Sequence, residues 1–209
     1  MSQTTSQGAL SEYIRVRADH IAKKPKNTGA VEAAGIATTA LTAWQMLFKH
    51  AQIKEGDHIF VNGGTTSVGM WVIQIAKANG CRVTATTSGK NYEWLKETFH
   101  VDTVRPISPV IPLMYLQSRR QVIDYTKMDS LSETLAENPP EPLFNAVIDC
   151  VGTDNQLYTN SPAYLEPKGV VVSTGPDPTD FIGSVSQSIA LAGHLVRPKW
   201  LGGTNRAFV

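Results

Sequence analysis

A doubly wound α/β domain built on a parallel sheet is the fold class this sequence predicts, and three observations predict it. Strand and helix patterns alternate from His58 onward, the strand patterns IFV, AVID and VVVS are apolar on both faces, and a glycine-rich turn joins the first strand to a helix. Strands covered by helices on both faces read as continuous apolar runs, whereas half-exposed antiparallel strands alternate. Alternating β and α elements build a parallel sheet with crossover helices.

In chain order, residues 9–17, ALSEYIRVR, alternate as a strand does, and Pro25 to Gly29 punctuate the segment after them. Glu32 to His50 reads as a helix. Ala33, Ala34, Ala37, Leu41, Trp44, Met46, Leu47 and Phe48 supply its apolar face, and Gly35 with two threonines predicts a break or a close backbone approach near its start. Lys54 to Asp57 turn into the first sheet strand, His58 to Asn62. Next come a helix from Val68 to Asn79, a strand from Arg82 to Thr87, a helix from Asn91 to Phe99 and a strand from Gln121 to Tyr125. A short helix from Leu131 to Glu137, a strand from Phe144 to Cys150, a helix from Asn155 to Tyr164 and a strand from Val170 to Thr174 complete the series. Ligands of such sheets bind beyond the carboxyl ends of the strands, which collects Gly63 to Val68, Ser88, Tyr125, Cys150 to Gly152 and Gly175 on one edge.

One stretch breaks the pattern. Between Phe99 and Gln121 runs HVDTVRPISPVIPLMYLQSRR, with Pro106, Pro109 and Pro112 at every third position. Prolines so spaced forbid a regular helix and favour an extended or polyproline conformation. Connections in α/β units are normally about 2–6 residues long.

With 209 residues, 42% hydrophobic and 18% charged, the chain is long enough for one sizeable domain with a buried core. A formal net charge of +1 gives no pull toward nucleic acid or an anionic membrane, and the cluster Lys23, Lys24, Lys26 reads as a solvated loop. Cys81 and Cys150 border predicted buried strands, as small apolar thiols do in a reducing compartment. The polar start MSQTTSQG lacks the blocks of a signal peptide, and no apolar run reaches the ~20 residues of a membrane helix. The expectation is a cytoplasmic protein. His20, His50, His58, His100 and His194 are scattered and read as surface or strand-edge residues, so no metal site is expected.

The residues richest in chemistry lie between Asp57 and Asn91. Gly63-Gly64-Thr65-Thr66-Ser67-Val68-Gly69 falls where a helix amino terminus would aim free N–H groups at a pyrophosphate, with Gly63 permitting the tight turn and Gly69 letting the helix pack on the sheet. An ordinary strand-to-helix turn accounts for the same glycines. The carboxyl end of the next strand carries Thr86, Thr87, Ser88 and Lys90, where a dinucleotide site that holds free ribose hydroxyls would carry an acid. Hydroxyls and an ammonium suit a 2′-phosphate, with Ser88 and Asn91 as hydrogen-bonding groups and Lys90 as the charge. NADPH is therefore the cofactor expected, and the missing carboxylate also argues against S-adenosylmethionine. Ser88 reads equally as an amino-terminal cap for the following helix.

GALSEYIRVRADHIAKKP, ALTAWQML, KEGDHIFVNGGTTSVGMWVIQIAKANGCRVTATTS, VIDYTK, FNAVIDCVG and LEPKGVVVSTG, in that order, resemble the zinc-independent, quinone oxidoreductase-like branch of the medium-chain dehydrogenases/reductases, and the trans-acting enoyl reductases are similar in the same places. The resemblance implies a Rossmann-type dinucleotide-binding domain over 30–209 with a proline-rich insertion at about 100–119. Residues 1–29 would be the tail of a β-rich, GroES-like catalytic domain. It also implies NADPH, with the pyrophosphate at Thr65, Thr66, Ser67 and Val68, the 2′-phosphate at Ser88, Lys90 and Asn91, a further contact at Tyr125, and Val151 and Gly152 near the nicotinamide ribose. Tyr125 reads equally as an aromatic packed at a strand end. Thr66 departs from the family pattern by replacing the middle glycine of GxxGxxG, and its side chain either crowds the phosphates or donates a hydroxyl to them.

The activity implied is hydride transfer from NADPH to a quinone, enone or enoyl-type double bond of a small-molecule substrate. The alternative is a non-catalytic NADPH-binding or dimerising module. Relatives resembling the chain pair through the last sheet strand, about His194 to Gly203 here, which implies a homodimer. No catalytic acid is assigned, and Thr39, Thr42 and Trp44 border the implied cleft, although core packing explains Trp44 as well. For the proline-rich stretch, translation of retained non-coding sequence and a genuine surface insertion are both open.

Overall fold

The computed structural model describes residues 10–101, 103–104, 123–124, 130–152, 156–174 and 205–208. Contacts divide the chain into two units, Met1–Ala37 and Thr38–Val209.

In the first unit the described residues form a single 3-10 turn, Ala18–His20, and one short helix, α1, Ala30–Ala34. No strand forms over residues 10–17, contrary to the alternation in ALSEYIRVR. A strand needs a neighbour for its N–H and C=O groups, and no described strand pairs with this segment. Lys23, Lys24 and Lys26 are exposed, and the Lys24 ammonium donates to the carbonyls of Pro25 and Thr28.

The helical run expected up to His50 is built from wide π-type turns over Ile36–Ala40 and Gln45–His50, which flank an α turn, α2, Leu41–Trp44. Gly35 stands at the break before it. The buried seam is Ala40, Ala43, Met46 and Leu47, while Trp44 remains half exposed against the Phe48 ring at 5.5 Å and Leu41 is exposed. Leu41 and Trp44, like the exposed Ala34 and Ala37, leave the face that spacing assigned them, as π-type turns place successive side chains differently from an α-helix.

The sheet contains β1 (His58–Asn62), β2 (Arg82–Thr87), β3 (Thr103–Val104), β4 (Ile123–Asp124), β5 (Phe144–Asp149), β6 (Leu165–Ser173) and β7 (Asn205–Phe208). Its order is β3-β2-β1-β5-β6-β7, with β4 also on β2, and every pairing is parallel. The helices between strands are α3 (Ser67–Ala78), α4 (Tyr92–Phe99), α5 (Leu131–Glu137) and α6 (Gln156–Thr159). This is the doubly wound α/β fold that the pattern predicts. Alternate strand residues feed two cores: Ile59, Val61, Ala146 and Ile148 pack with Val72, Ile73 and Ala76 of α3, while Phe60 and Val147 pack with Leu135, Leu157 and Tyr164. Side chains that are fully buried in this way contribute about 1.5–3 kcal/mol each.

β6 begins five residues earlier than its apolar run. Phe144 pairs with Leu165 and Ala146 with Val170, so Glu166, Pro167 and Lys168 bulge outward and stay exposed. His58 corrects the reading of the histidines as surface or edge groups. It is only 4% exposed, with Nδ1 at 3.1 Å from Pro142 O and Nε2 at 3.0 Å from Thr84 Oγ1. The last described strand is β7, and residues 194–203, on which the reading of a pairing strand falls, lie outside the described residues.

Among the described residues, no helix is long and apolar enough to cross a membrane, and no group of three or more His, Cys, Asp or Glu is arranged to hold a metal.

Candidate dinucleotide site

The turn from β1 into α3 begins with Gly63 at φ +82°, in the left-handed region. A Cβ there would lie 2.7 Å from Val151 Cγ2. Gly69 answers a different need: a Cβ on it would stand 2.1 Å from Gly63 O, so only glycine lets the first turn of α3 close onto the loop. Thr66 is the N-cap. Its hydroxyl donates to Gly63 O at 2.8 Å and accepts from Gly69 N at 3.0 Å. The residue that departs from the glycine pattern therefore commits its hydroxyl to the turn itself. Thr66→Ala is expected to lower stability by about 1 kcal/mol and Thr66→Gly by only a few tenths, measured by urea unfolding of both variants.

Among the described residues, the N–H groups of Thr65, Ser67 and Val68 donate to no partner within the chain, while those of Gly64, Thr66, Gly69 and Met70 are bonded. Three free donors at the amino end of a twelve-residue helix form a ready anion site.

At the carboxyl end of β2, Thr86 Oγ1 accepts from Gly63 N at 2.8 Å and donates to Asn62 Oδ1 at 2.9 Å. Thr87 Oγ1 is the one buried side-chain polar atom without a partner among the described residues. Ser88 is 9% exposed and its hydroxyl accepts from Asn91 Nδ2 at 3.1 Å. Ser88 stands at the N-cap position of the 3-10 turn Gly89–Asn91 without a side-chain capping bond, and Asn91 precedes α4, so the Ser88 hydroxyl does not cap that helix. Its own proton is left to donate elsewhere. Lys90 is exposed and Asn91 half-buried beside it. Hydroxyls, an amide and an ammonium, with a buried hydroxyl still unsatisfied, match the chemistry of a phosphate monoester.

At the carboxyl end of β5, Asp149 is 4% exposed and fully engaged. Oδ1 accepts from Asn62 Nδ2 at 3.0 Å and from the N–H groups of Val151 and Gly152 at 3.1 Å, and Oδ2 accepts from Ser173 Oγ at 3.2 Å. The loop carrying Val151 and Gly152 is thus clamped by a carboxylate. A continuous hydrogen-bonded rail runs Gly63 N, Thr86, Asn62, Asp149, Ser173 across the ends of four strands. Sequence reading missed Asn62, Asp149 and Ser173, although each is a polar residue at the end of an apolar strand. Burial, and then the Asp149 charge, push the Cys150 thiol far up, and burial first of all raises Cys81 to about 11. Neither is a thiolate nucleophile near neutral pH. Tyr125 lies outside the described residues.

A glycine turn, an open helix amino terminus and an acid-free second strand, gathered on the carboxyl edge of a parallel sheet, define a dinucleotide-binding α/β domain. Comparison with known proteins gives the family. Residues 67–206 match the zinc-binding dehydrogenase family, and the chain belongs to it, within the medium-chain dehydrogenases/reductases. A medium chain reductase of an Acremonium species is 29% identical across 97% of this chain and 54% of its own length, and a trans-enoyl reductase of Aspergillus terreus is 30% identical across 95% and 48%. The chain spans about half the length of the curated relatives it matches. The crystal structure of a quinone oxidoreductase from Coxiella burnetii superposes with a TM-score of 0.57 at 26% identity, covering 90% of this chain and 46% of that one.

Proposed function

We propose that this chain is the NADPH-binding part of a reductase that acts on a quinone, enone or enoyl-type double bond. The observation that carries the reading is the pairing of three unbonded N–H groups at Thr65, Ser67 and Val68 with an acid-free strand end at Thr87, Ser88 and Lys90. In this reading Gly63, Thr65, Thr66, Ser67 and Val68 cradle the pyrophosphate, and Ser88, Lys90 and Asn91 hold the 2′-phosphate. Val151 and Gly152, fixed by Asp149, border the nicotinamide ribose, and Tyr125 adds a contact on the adenine side. Bound NADPH supplies the hydride. The chain's own part is to bind and orient the dinucleotide so that one face of the nicotinamide meets the substrate. Residues 1–29 belong in this reading to the catalytic domain. The reductase relatives support the reaction class, and pairing of two copies at the sheet edge is the associated assembly.

Fluorescence titration tests the site. NADPH is expected to bind about tenfold or more tightly than NADH, and Lys90→Ala to weaken NADPH several-fold while leaving NADH unchanged. No binding of NADPH at millimolar concentration would sink the proposal. Oxidation of bound NADPH by a panel of small quinones and enones separates a reductase from a binding module without turnover.

A further inference from the structure

We propose that residues 105–122 are an excisable insertion inside a single strand at the sheet edge, and that the chain without them folds with Val104 joined directly to Ile123. The register on β2 carries this. Thr84, Ala85, Thr86 and Thr87 are consecutive, and their partners are Thr103, Val104, Ile123 and Asp124. No residue of β2 is skipped where the partner chain departs and returns.

The opposite edge of β2 is already taken. His58 to Val61 pair with Arg82 to Ala85, and Gly64 N bonds Thr86 O at 2.8 Å. β3 and β4 therefore lie end to end along the remaining edge. Two successive parallel strands would normally lie side by side, about 4.8 Å apart, after a crossover. Partners of adjacent residues on one strand instead stand one step apart, close to the ~3.8 Å between Cα atoms across a trans peptide. One peptide bond closes the gap, and the two-residue alternation continues through it.

The sequence supplies an independent observation. Val104 and Val122 are the same residue type, so removing 105–122 or 104–121 leaves the same product, Thr103-Val-Ile123-Asp124. The second choice begins with a valine codon, all of which start with GT, and ends with Gln121, one of whose two codons is CAG. GT and AG are the limits of an ordinary spliceosomal intron. The proline triplet at Pro106, Pro109 and Pro112, foreign to the α/β pattern around it, falls inside these limits. We infer that the stretch is unspliced sequence carried into the chain by translation.

Three chains test the strand: the full chain, a deletion of 105–122, and a deletion of 105–123 that slips the register by one residue and turns each following side chain to the other face. The in-register deletion is expected to unfold cooperatively with a midpoint raised by about 5 °C, because the loop-closure entropy is gone, and the slipped deletion to fall below the full chain. An in-register deletion that fails to fold, or that loses as much as the slipped one, overturns the proposal. Sequencing messages across the junction tests the origin. Most copies should pass from the codon of Thr103 through one valine codon to that of Ile123, and a message that retains the stretch in most copies overturns the splicing inference.

Discussion

Asp149→Ala is expected to be among the most damaging single substitutions in this domain, lowering stability by about 3–5 kcal/mol. The carboxylate lies buried at the end of β5 and satisfies four donors: Asn62 Nδ2, the N–H groups of Val151 and Gly152, and Ser173 Oγ. Alanine removes both acceptor oxygens, and water reaches the vacated position poorly. Asn62 then loses one end of the bridge to Thr86 and so to Gly63 N. At about 2–4 °C per kcal/mol for a domain of this size, the unfolding midpoint should fall by roughly 6–20 °C. Asp149→Asn keeps one acceptor oxygen and should lose about half as much. The two variants, unfolded by heat in parallel, separate the rail from simple packing. Equal losses would mean that the charge-assisted bonds contribute little, and a loss below about 1 kcal/mol would mean that the rail does not hold the loop.

Gly69→Ala is expected to cost about 3 kcal/mol, at the upper end of ordinary overpacking. The added Cβ would meet Gly63 O at 2.1 Å and Gly63 C at 3.0 Å. Both are backbone atoms and cannot rotate aside, so α3 must withdraw from the turn. That withdrawal stretches the bond from Gly69 N to Thr66 Oγ1 and moves the free N–H groups of Thr65, Ser67 and Val68 away from one another. Stability and NADPH affinity should therefore fall together, the affinity by tenfold or more, about 1.4 kcal/mol. Thermal unfolding and NADPH titration of the same preparation check this. A midpoint within a degree or two of the parent would show that the helix does not seat on Gly63 as closely as described.

Several elements were legible because their signals are local. The apolar run at β1, the glycines of the turn and the amphipathic stretch of α3 each declare themselves within a few residues, and the structure places all three within a residue of the predicted limits. The acid-free end of β2 was equally plain. Thr66 was visible as a departure from the glycine pattern, but its capping role depends on where Gly63 O and Gly69 N meet in space. His58 gave no sign of burial, since its partners, Pro142 and Thr84, come from distant parts of the chain. Residues 10–17 show the reverse error: their alternation met the local rule for a strand without meeting a partner.

The proline-rich stretch joins both kinds of information. Composition marked it as foreign, and the pairing of β2 with Val104 on one side and Ile123 on the other supplied its limits. Val101 is buried in the core before it.

The sequence by itself determined the fold class, the alternation of strands and helices from β1 to α4 and from α5 to β6, the glycine turn and the acid-free character of the strand end beyond it. Periodicity and turn chemistry act over a few residues, so they can be read along the chain. Only the tertiary structure decided that Asn62, Thr86, Asp149 and Ser173 form one rail beneath the site, that the Ser88 hydroxyl makes no capping bond, and that β3 and β4 take consecutive partners along one edge of β2. Register and buried hydrogen bonds join residues far apart in sequence, and which donor meets which acceptor is set only once the strands lie side by side.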